Sequence, residues 1–420
     1  MPVYLDHAAT TPITGTALAA FTQHLSRSGN PSSLHGSGRR ARIVVEESRE
    51  KIAVAGGAHR SEIIFTSGGT EANNLAVKGL YWARRAADPA RRRILCSSVE
   101  HHAVQDTVEW LASHEGADIV WLPVDAHGVV SIEALEHEIE ADPGNVALVS
   151  VMWANNEVGA VQPIHDVVEL AHRHGIPVHS DAVQAFGTIP VNFADSGLDT
   201  MAVSAHKIGG PVGVGALFVG RSVSLTPTQH GGGQERDVRS GTLDTAGIAA
   251  FAAAAEFAAL NLTQEANRLV ELRDSLIEAV QRAIPEAILR GPLEQGDYAK
   301  RLPGNAHFTF PGCEGDSLLF VLDMAGVESS TGSACTAGVP RPSHVLLAMG
   351  LTESEARGAQ RFSLGHTSTS SDVDALVAVL PGAYASARKA GMAGHVSTIQ
   401  TAGTISRAGN VSGTMRQGEK

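Results

Sequence analysis

Between Glu62 and Val219 short apolar runs alternate with stretches whose apolar residues recur at helical spacing. That alternation is the pattern of an α/β layer built on a mainly parallel sheet. Glu62 to Thr66 reads as a strand, followed by the turn Ser67-Gly68-Gly69-Thr70 and a helix that keeps Ala72, Leu75, Ala76, Gly79, Leu80 and Ala83 on one face. Arg93 to Ser97, Val146 to Val151, Ile176 to His179 and Gly215 to Val219 read as further strands, and Ile164, Val167, Val168 and Ala171 form a helix stripe that Gly175 ends. After Thr245 the pattern predicts an alanine-rich helix to about Leu260, then a separate amphipathic helix to about Ala283, closed by Pro285. Mixed strand and helix patterns follow, including Asn305 to Phe310 and Gln360 to Leu364. The expected organisation is a large α/β domain over 16–260 and a smaller α+β domain from 1–15 and 261–390. The stretch 391–420 is rich in Gly, Ser, Thr and Ala and lacks apolar periodicity, so a disordered tail is expected there.

Bulk properties narrow the function classes. A chain of 420 residues has ample length for a large core. Its formal net charge of −12 argues against a nucleic-acid surface, which needs clustered Lys and Arg. The opening Met1-Pro2-Val3-Tyr4-Leu5-Asp6-His7 carries no basic or long apolar segment, so no secretory signal is expected, and no uninterrupted apolar run suggests a membrane span. Three widely spaced cysteines, Cys96, Cys313 and Cys335, fit a reducing compartment, and a cytoplasmic location is expected.

Chemistry concentrates at the predicted strand ends. Lys207, in Ser204-Ala205-His206-Lys207 before Gly209-Gly210-Pro211, sits where an exposed amine can form a Schiff base with a carbonyl cofactor. Asp181 lies at the carboxyl end of a strand, where α/β proteins place ligands, and can keep a pyridine nitrogen protonated; by itself it reads equally as a helix cap. Gln184 falls on the same side as Asp181. Ser67-Gly68-Gly69-Thr70-Glu71 presents backbone N–H groups and the Thr70 hydroxyl at a helix N-terminus, an anion site in form though also a common turn; Ser204 and His206 offer further donors. A lysine, a carboxylate and a phosphate cradle are what pyridoxal phosphate (PLP) requires of a protein.

Glu100-His101-His102 starts a helix; an imidazole there could stack on a flat ring and exchange protons, or be one of two surface histidines. A zinc site using these with His172, His174 or His179 is disfavoured by spacing. Cys335 lies in Ser329-Ser330-Thr331-Gly332-Ser333-Ala334-Cys335-Thr336-Ala337-Gly338, small and polar throughout, which reads as a surface loop exposing a reactive thiol. Cys96, inside an apolar strand, reads as buried and inert, and Cys313 is ambiguous.

Tyr4-Leu5-Asp6-His7-Ala8-Ala9-Thr10-Thr11-Pro12, Gly29-Asn30-Pro31, Ser67-Gly68-Gly69-Thr70-Glu71, Asn155-Asn156-Glu157-Val158-Gly159, the Asp181 and Lys207 segments, Arg239-Ser240-Gly241-Thr242, Ser333-Ala334-Cys335 and Arg361-Phe362-Ser363 occur in this order. Together they resemble the cysteine desulfurases of the NifS/IscS type, in the class-V aminotransferase family, from about Val3 to Ala390. The resemblance implies a fold-type I PLP-dependent transferase acting as a homodimer on L-cysteine. Lys207 would bind the cofactor covalently, Asp181 would pair with its ring nitrogen, and Gln184 and Asn156 would position the ring. His101 would stack on the ring and act as acid and base. Gly69, Thr70, Ser204 and His206 would hold the phosphate, with Thr242 reaching in from a neighbouring subunit. Arg361 would clamp the substrate carboxylate, and Asn30 would line the substrate pocket. Cys335 would take the sulfur as a persulfide, leaving alanine, and pass it to an acceptor protein for iron–sulfur cluster assembly or for thiolation of tRNA or cofactors. A selenocysteine lyase or aminotransferase of the same fold is the rival; intact Lys207, Asp181 and Cys335 count against a non-catalytic platform. The C-terminal segment does not resemble the scaffold-docking end of the housekeeping enzymes.

Overall fold

The computed structural model describes residues 2–332 and 342–394. In chain order the strands are β1 (Val3–Tyr4), β2 (Ile63–Thr66), β3 (Arg93–Ser97), β4 (Asp118–Leu122), β5 (Val146–Ser150), β6 (Val178–Asp181), β7 (Thr200–Ser204), β8 (Gly215–Val219), β9 (Ile288–Arg290), β10 (Asn305–Thr309), β11 (Val327–Glu328) and β12 (Ala359–Ser363). β2 to β8 form a seven-stranded sheet in the order β2-β8-β7-β6-β5-β3-β4. Every pairing in it is parallel except those of β8, which runs antiparallel to both β2 and β7. The central strands β5, β6, β7 and β8 are buried along their whole length, as parallel strands covered on both faces must be. A three-stranded antiparallel sheet, β12-β10-β9, and a parallel pair, β1-β11, make up the second region.

The expected two helices after Thr245 are one continuous helix, Thr245–Ala283. No Gly or Pro interrupts Asn261-Leu262-Thr263, so the ladder continues through the change of texture. Its first half packs Ile248, Phe251 and Ala255 into the core of the large sheet, and its second half packs Leu269, Leu276 and Val280 into the core around Phe308, Phe310 and Phe362. The helix is long and apolar enough to cross a bilayer by composition, but half of its most apolar stretch is buried in these cores. Cys96 is buried, as expected. Cys313 is buried too, with Sγ 3.8 Å from the Tyr384 carbonyl and its thiol pushed up to about 11 by burial. The expected tail lies outside the described residues beyond 394.

Candidate active site

The ends of β6 and β7 set the centre of the site. β6 runs two residues later than its apolar run suggests, so that Asp181 is its last residue, registered against Ala202 of β7. β7 then feeds a single tight turn, Ala205–Lys207, and Gly209 follows with φ 78°, the left-handed conformation glycine accepts at no steric cost. Strand order therefore puts Lys207 beside Asp181 at the carboxyl edge of the sheet. Lys207 Nζ donates to the Ala8 and Ala9 carbonyls at 2.5 and 2.7 Å and has no acidic hydrogen-bond partner among the described residues. Burial, then Arg361, bring its amine down to about 8, against the opposing pull of Asp181 and Asp6. An amine in that range has a sizeable neutral fraction near pH 7, which is the form that attacks a carbonyl.

A cavity of about 400 Å³ opens over these two residues. It is lined by Gly69, Thr70, His101, Asn156, Asp181, Gln184, Ser204, His206, Lys207 and Arg361, so the chain brings all of these predicted residues together. A second cavity of about 670 Å³, walled by His7, His366 and the middle of the long helix, meets the first at Ala8, Gln184 and Lys207. At one side of the first cavity the Gly69–Ala87 helix begins with no side-chain cap at Gly68, leaving its first amides open. A Cβ at Gly69 would lie 2.7 Å from Val183 Cγ2, so only glycine lets the backbone come this close. The Ser204 hydroxyl beside it is buried with no hydrogen-bond partner among the described residues.

His101 is the N-cap of the His102–Glu115 helix, and its Nδ1 accepts from the Ala103 amide at 3.1 Å. That bond needs a lone pair on Nδ1, so the neutral ring carries its proton on Nε2. Burial lowers its basicity, Asp181 opposing. Arg361, on β12 and 4% exposed, donates through Nη1 to the Asn156 carbonyl at 2.8 Å and through Nη2 to Asp6 Oδ1 at 2.7 Å. Its Nε has no partner among the described residues, leaving a donor for an anion. Gln184 donates to the Ala8 carbonyl at 2.9 Å. His206 faces Thr10 Oγ1 at 3.2 Å, and burial with Lys207 nearby takes it down to about 4.

Two predicted residues stand apart. Asn30 and Thr242 are both exposed and line neither of these cavities. The segment before Thr242 is anchored by a buried bidentate pair, Glu235 to Arg49 at 2.7 and 2.8 Å, and by Arg239 to Glu71 at 2.7 Å, so Thr242 is held outward on a fixed base. Cys335 lies outside the described residues; Gly332, three residues before it, lines the cavity.

The family model for class-V aminotransferases matches residues 3–376. The chain belongs to the class-V aminotransferase family. Within that family it is 56% identical, over 93% of its length and 98% of the relative, to a protein of Mycobacterium tuberculosis described as an IscS-like cysteine desulfurase. Among solved structures it resembles a NifS-like protein, with TM-score 0.82, 35% identity, and coverage of 91% of this chain and 99% of that one. It also resembles SspA in complex with cysteine, with TM-score 0.72, 34% identity, and coverage of 86% and 98%. The class-V family works with PLP, and this cavity fits it: an uncapped helix start with an orphaned Ser204 hydroxyl suits a phosphate, Asp181 a pyridine nitrogen, and the part-neutral Lys207 an aldehyde.

Several site residues escaped the sequence reading. Asn73 and His102 line the cavity, as do Glu157 and His344, and Asp6 holds Arg361. Glu157 accepts a short hydrogen bond from the Ser343 hydroxyl. Asp6 had a signal in its place within Tyr4-Leu5-Asp6-His7, but its partner is 355 positions away in the chain. His102 also had one, its i,i+4 spacing from Asp106, whose carboxylate lies 3.2 Å from Nδ1.

Proposed function

We propose that this chain is a PLP-dependent cysteine desulfurase that removes sulfur from L-cysteine, giving L-alanine and a persulfide on Cys335. The observation that carries the reading is the convergence of Lys207, Asp181, His101 and Arg361 on one cavity whose wall includes Gly332, just ahead of Cys335. Cys335 also separates this reading from the aminotransferase rival, because moving an amino group requires no second thiol.

When bound, PLP supplies a carbonyl that takes up an amino group and a ring that draws away the electron pair left at Cα. The chain's own groups would divide the remaining work. Gly69, Thr70, Ser204 and His206 would hold the phosphate, and Asp181 the ring nitrogen, with Gln184 and Asn156 setting the ring's tilt. Lys207 would take and release a proton at Nζ near neutral pH, as its lowered basicity allows. His101 would stack on the ring and offer its Nε2 hydrogen as a hydrogen-bond donor, since a neutral imidazole cannot release that proton without becoming an anion. Arg361, steadied by Asp6, would bind the substrate carboxylate and turn the thiol toward Cys335. Cys335 would carry the sulfur to an acceptor protein serving iron–sulfur cluster assembly or thiolation of tRNA or cofactors.

The working unit in this reading is a homodimer in the cytoplasm. Thr242, exposed on its anchored segment, would complete the phosphate site of the neighbouring subunit, and Asn30 would line the substrate pocket. Leu18 and Leu25 on the Gly15–Leu25 helix and Leu260 on the long helix, 48%, 64% and 80% exposed, are apolar side chains a partner subunit would cover. The test is to incubate the protein with L-cysteine and weigh the peptide bearing Cys335. One added sulfur is expected. Cys335→Ser should keep the bound-cofactor absorbance yet release no sulfide, and sulfide production at the wild-type rate by this variant would refute the assignment.

A further inference from the structure

His179 and Asp181 stand two apart on β6, so their side chains leave the same face of the sheet. The Gly69–Ala87 helix packs on that face and supplies Asn73 from its second turn. Asn73 Nδ2 donates to Asp181 Oδ2 at 2.6 Å, while the Val183 amide donates to Oδ1 at 2.9 Å. On its other side Asn73 Oδ1 meets His179 Nε2 at 3.0 Å, and His179 Nδ1 meets Thr200 Oγ1 at 2.9 Å. Thr200, His179, Asn73 and Asp181 are at most 5% exposed.

The carboxylate dictates the polarity of this chain. Reversing the Asn73 amide would set its oxygen against Asp181 Oδ2, so the N–H end must face Asp181 and the oxygen must face His179. That oxygen needs a donor, which puts the His179 proton on Nε2. Its Nδ1 then has a lone pair, which the Thr200 hydroxyl satisfies by donating. Burial independently favours the neutral ring, pushing His179 down to about 3. Every member of the chain thus has one permitted orientation.

We infer that Asn73, His179 and Thr200 are positioning residues for Asp181, a buried hydrogen-bond chain that fixes the direction of its carboxylate and keeps its charge at the cofactor ring nitrogen. The inference rests on the reading that this cavity holds PLP with Asp181 at that nitrogen. In a water-poor setting a carboxylate stripped of its donors either turns or gives up its charge, and either change weakens its hold on a pyridinium proton. A nearby opposite charge raises such a protonation constant by about 1–3 pKa units, so losing the aim of Asp181 forfeits a large part of that.

The experiment loads wild type, Asn73→Leu, His179→Gln, Thr200→Val and Thr70→Ala with PLP labelled with ¹⁵N in the ring, and follows the ring-nitrogen shift against pH without substrate. Asn73→Leu should lower the protonation constant roughly tenfold. Thr200→Val, which keeps volume and lies two links from Asp181, should lower it by a smaller measurable factor. His179→Gln, whose amide still donates to Asn73, should stay near wild type. Thr70→Ala should weaken cofactor affinity and leave the titration in place, separating the phosphate end from the ring end. Wild-type titrations from both Asn73→Leu and Thr200→Val, each carrying bound cofactor, would overturn the inference while leaving the cofactor reading intact. A wild type that takes up no PLP would overturn that reading, and the inference with it.

Discussion

His307 offers the sharpest test of the electrostatics around the substrate arginine. It lies on β10, opposite Arg361 of β12, and is fully buried. Burial, with Arg361, Arg301 and Arg290 nearby, pushes its imidazole down to about 3. The unfolded chain has no such constraint and titrates near the ordinary value of about 6.5. Below that pH the unfolded state binds a proton that the folded state refuses, so stability falls as the medium is acidified, and goes on falling to about pH 3. Between pH 7 and pH 5 the integrated loss from this one residue is about 2 kcal/mol. His307→Asn removes it. At pH 7 the variant should be less stable by about 1–2 kcal/mol for lost packing, and by pH 5 that deficit should have closed or reversed. Urea unfolding of the cofactor-free protein at pH 7, 6 and 5, at one fixed concentration, reads the difference. Other buried groups, such as His179 and Glu100, are common to both proteins and cancel. A difference that stays constant across the three pH values would mean that His307 is already charged or reaches water, and the reasoning would be wrong.

Further outcomes follow from individual features of the site. The rate at which cofactor-free protein takes up PLP should rise with pH and level off above about 8, because the neutral Lys207 amine is the attacking form; a midpoint above pH 10 would contradict its lowered basicity. Asp6→Ala removes the 2.7 Å partner of Arg361 and should raise KM for cysteine by about tenfold with cofactor affinity unchanged, an effect matching the 1.5–3 kcal/mol of a charged hydrogen bond; an unchanged KM would remove Asp6 from the substrate site. Gly69→Val forces a side chain into Val183, 2.7 Å from the glycine's Cβ position, and should weaken PLP binding by at least about tenfold. Wild-type affinity in that variant would disprove the phosphate cradle.

What could be read from the sequence was whatever the chain keeps local. The glycine turn at 67–70, the acid ending a strand and the lysine after the next strand are each written within a few residues, and parallel order places their strand ends together. The long helix was misread as two because its composition changes at Leu260, although hydrogen bonding in a helix depends on the absence of a breaker and not on texture. Asn73 gave no sign of its role, since its partners Asp181 and His179 are 108 and 106 positions away and the contact exists only once the helix lies on β6. The tautomer of His101 depends on a single backbone amide two residues on, which becomes visible only in the geometry of the helix cap. The outward placement of Thr242 has the opposite origin: its expected role belongs to a subunit interface, which no folding of one chain can display.

Glu100 and Asp181 are two buried carboxyls beside the cavity that the fold treats differently. The Glu100 carboxyl is buried, 1% exposed, with Oε1 accepting from the Met152 amide at 2.6 Å and Oε2 without a partner among the described residues. Burial, together with the charge on Asp181, pushes it well above the usual carboxylate range. Asp181 has a donor on each oxygen, from Asn73 and Val183. Two neighbouring carboxyls thereby have unequal supplies of N–H groups, the kind of difference by which a protein assigns distinct roles to like residues. The difference lies in the donors that the fold supplies to each carboxyl and not in the residue type.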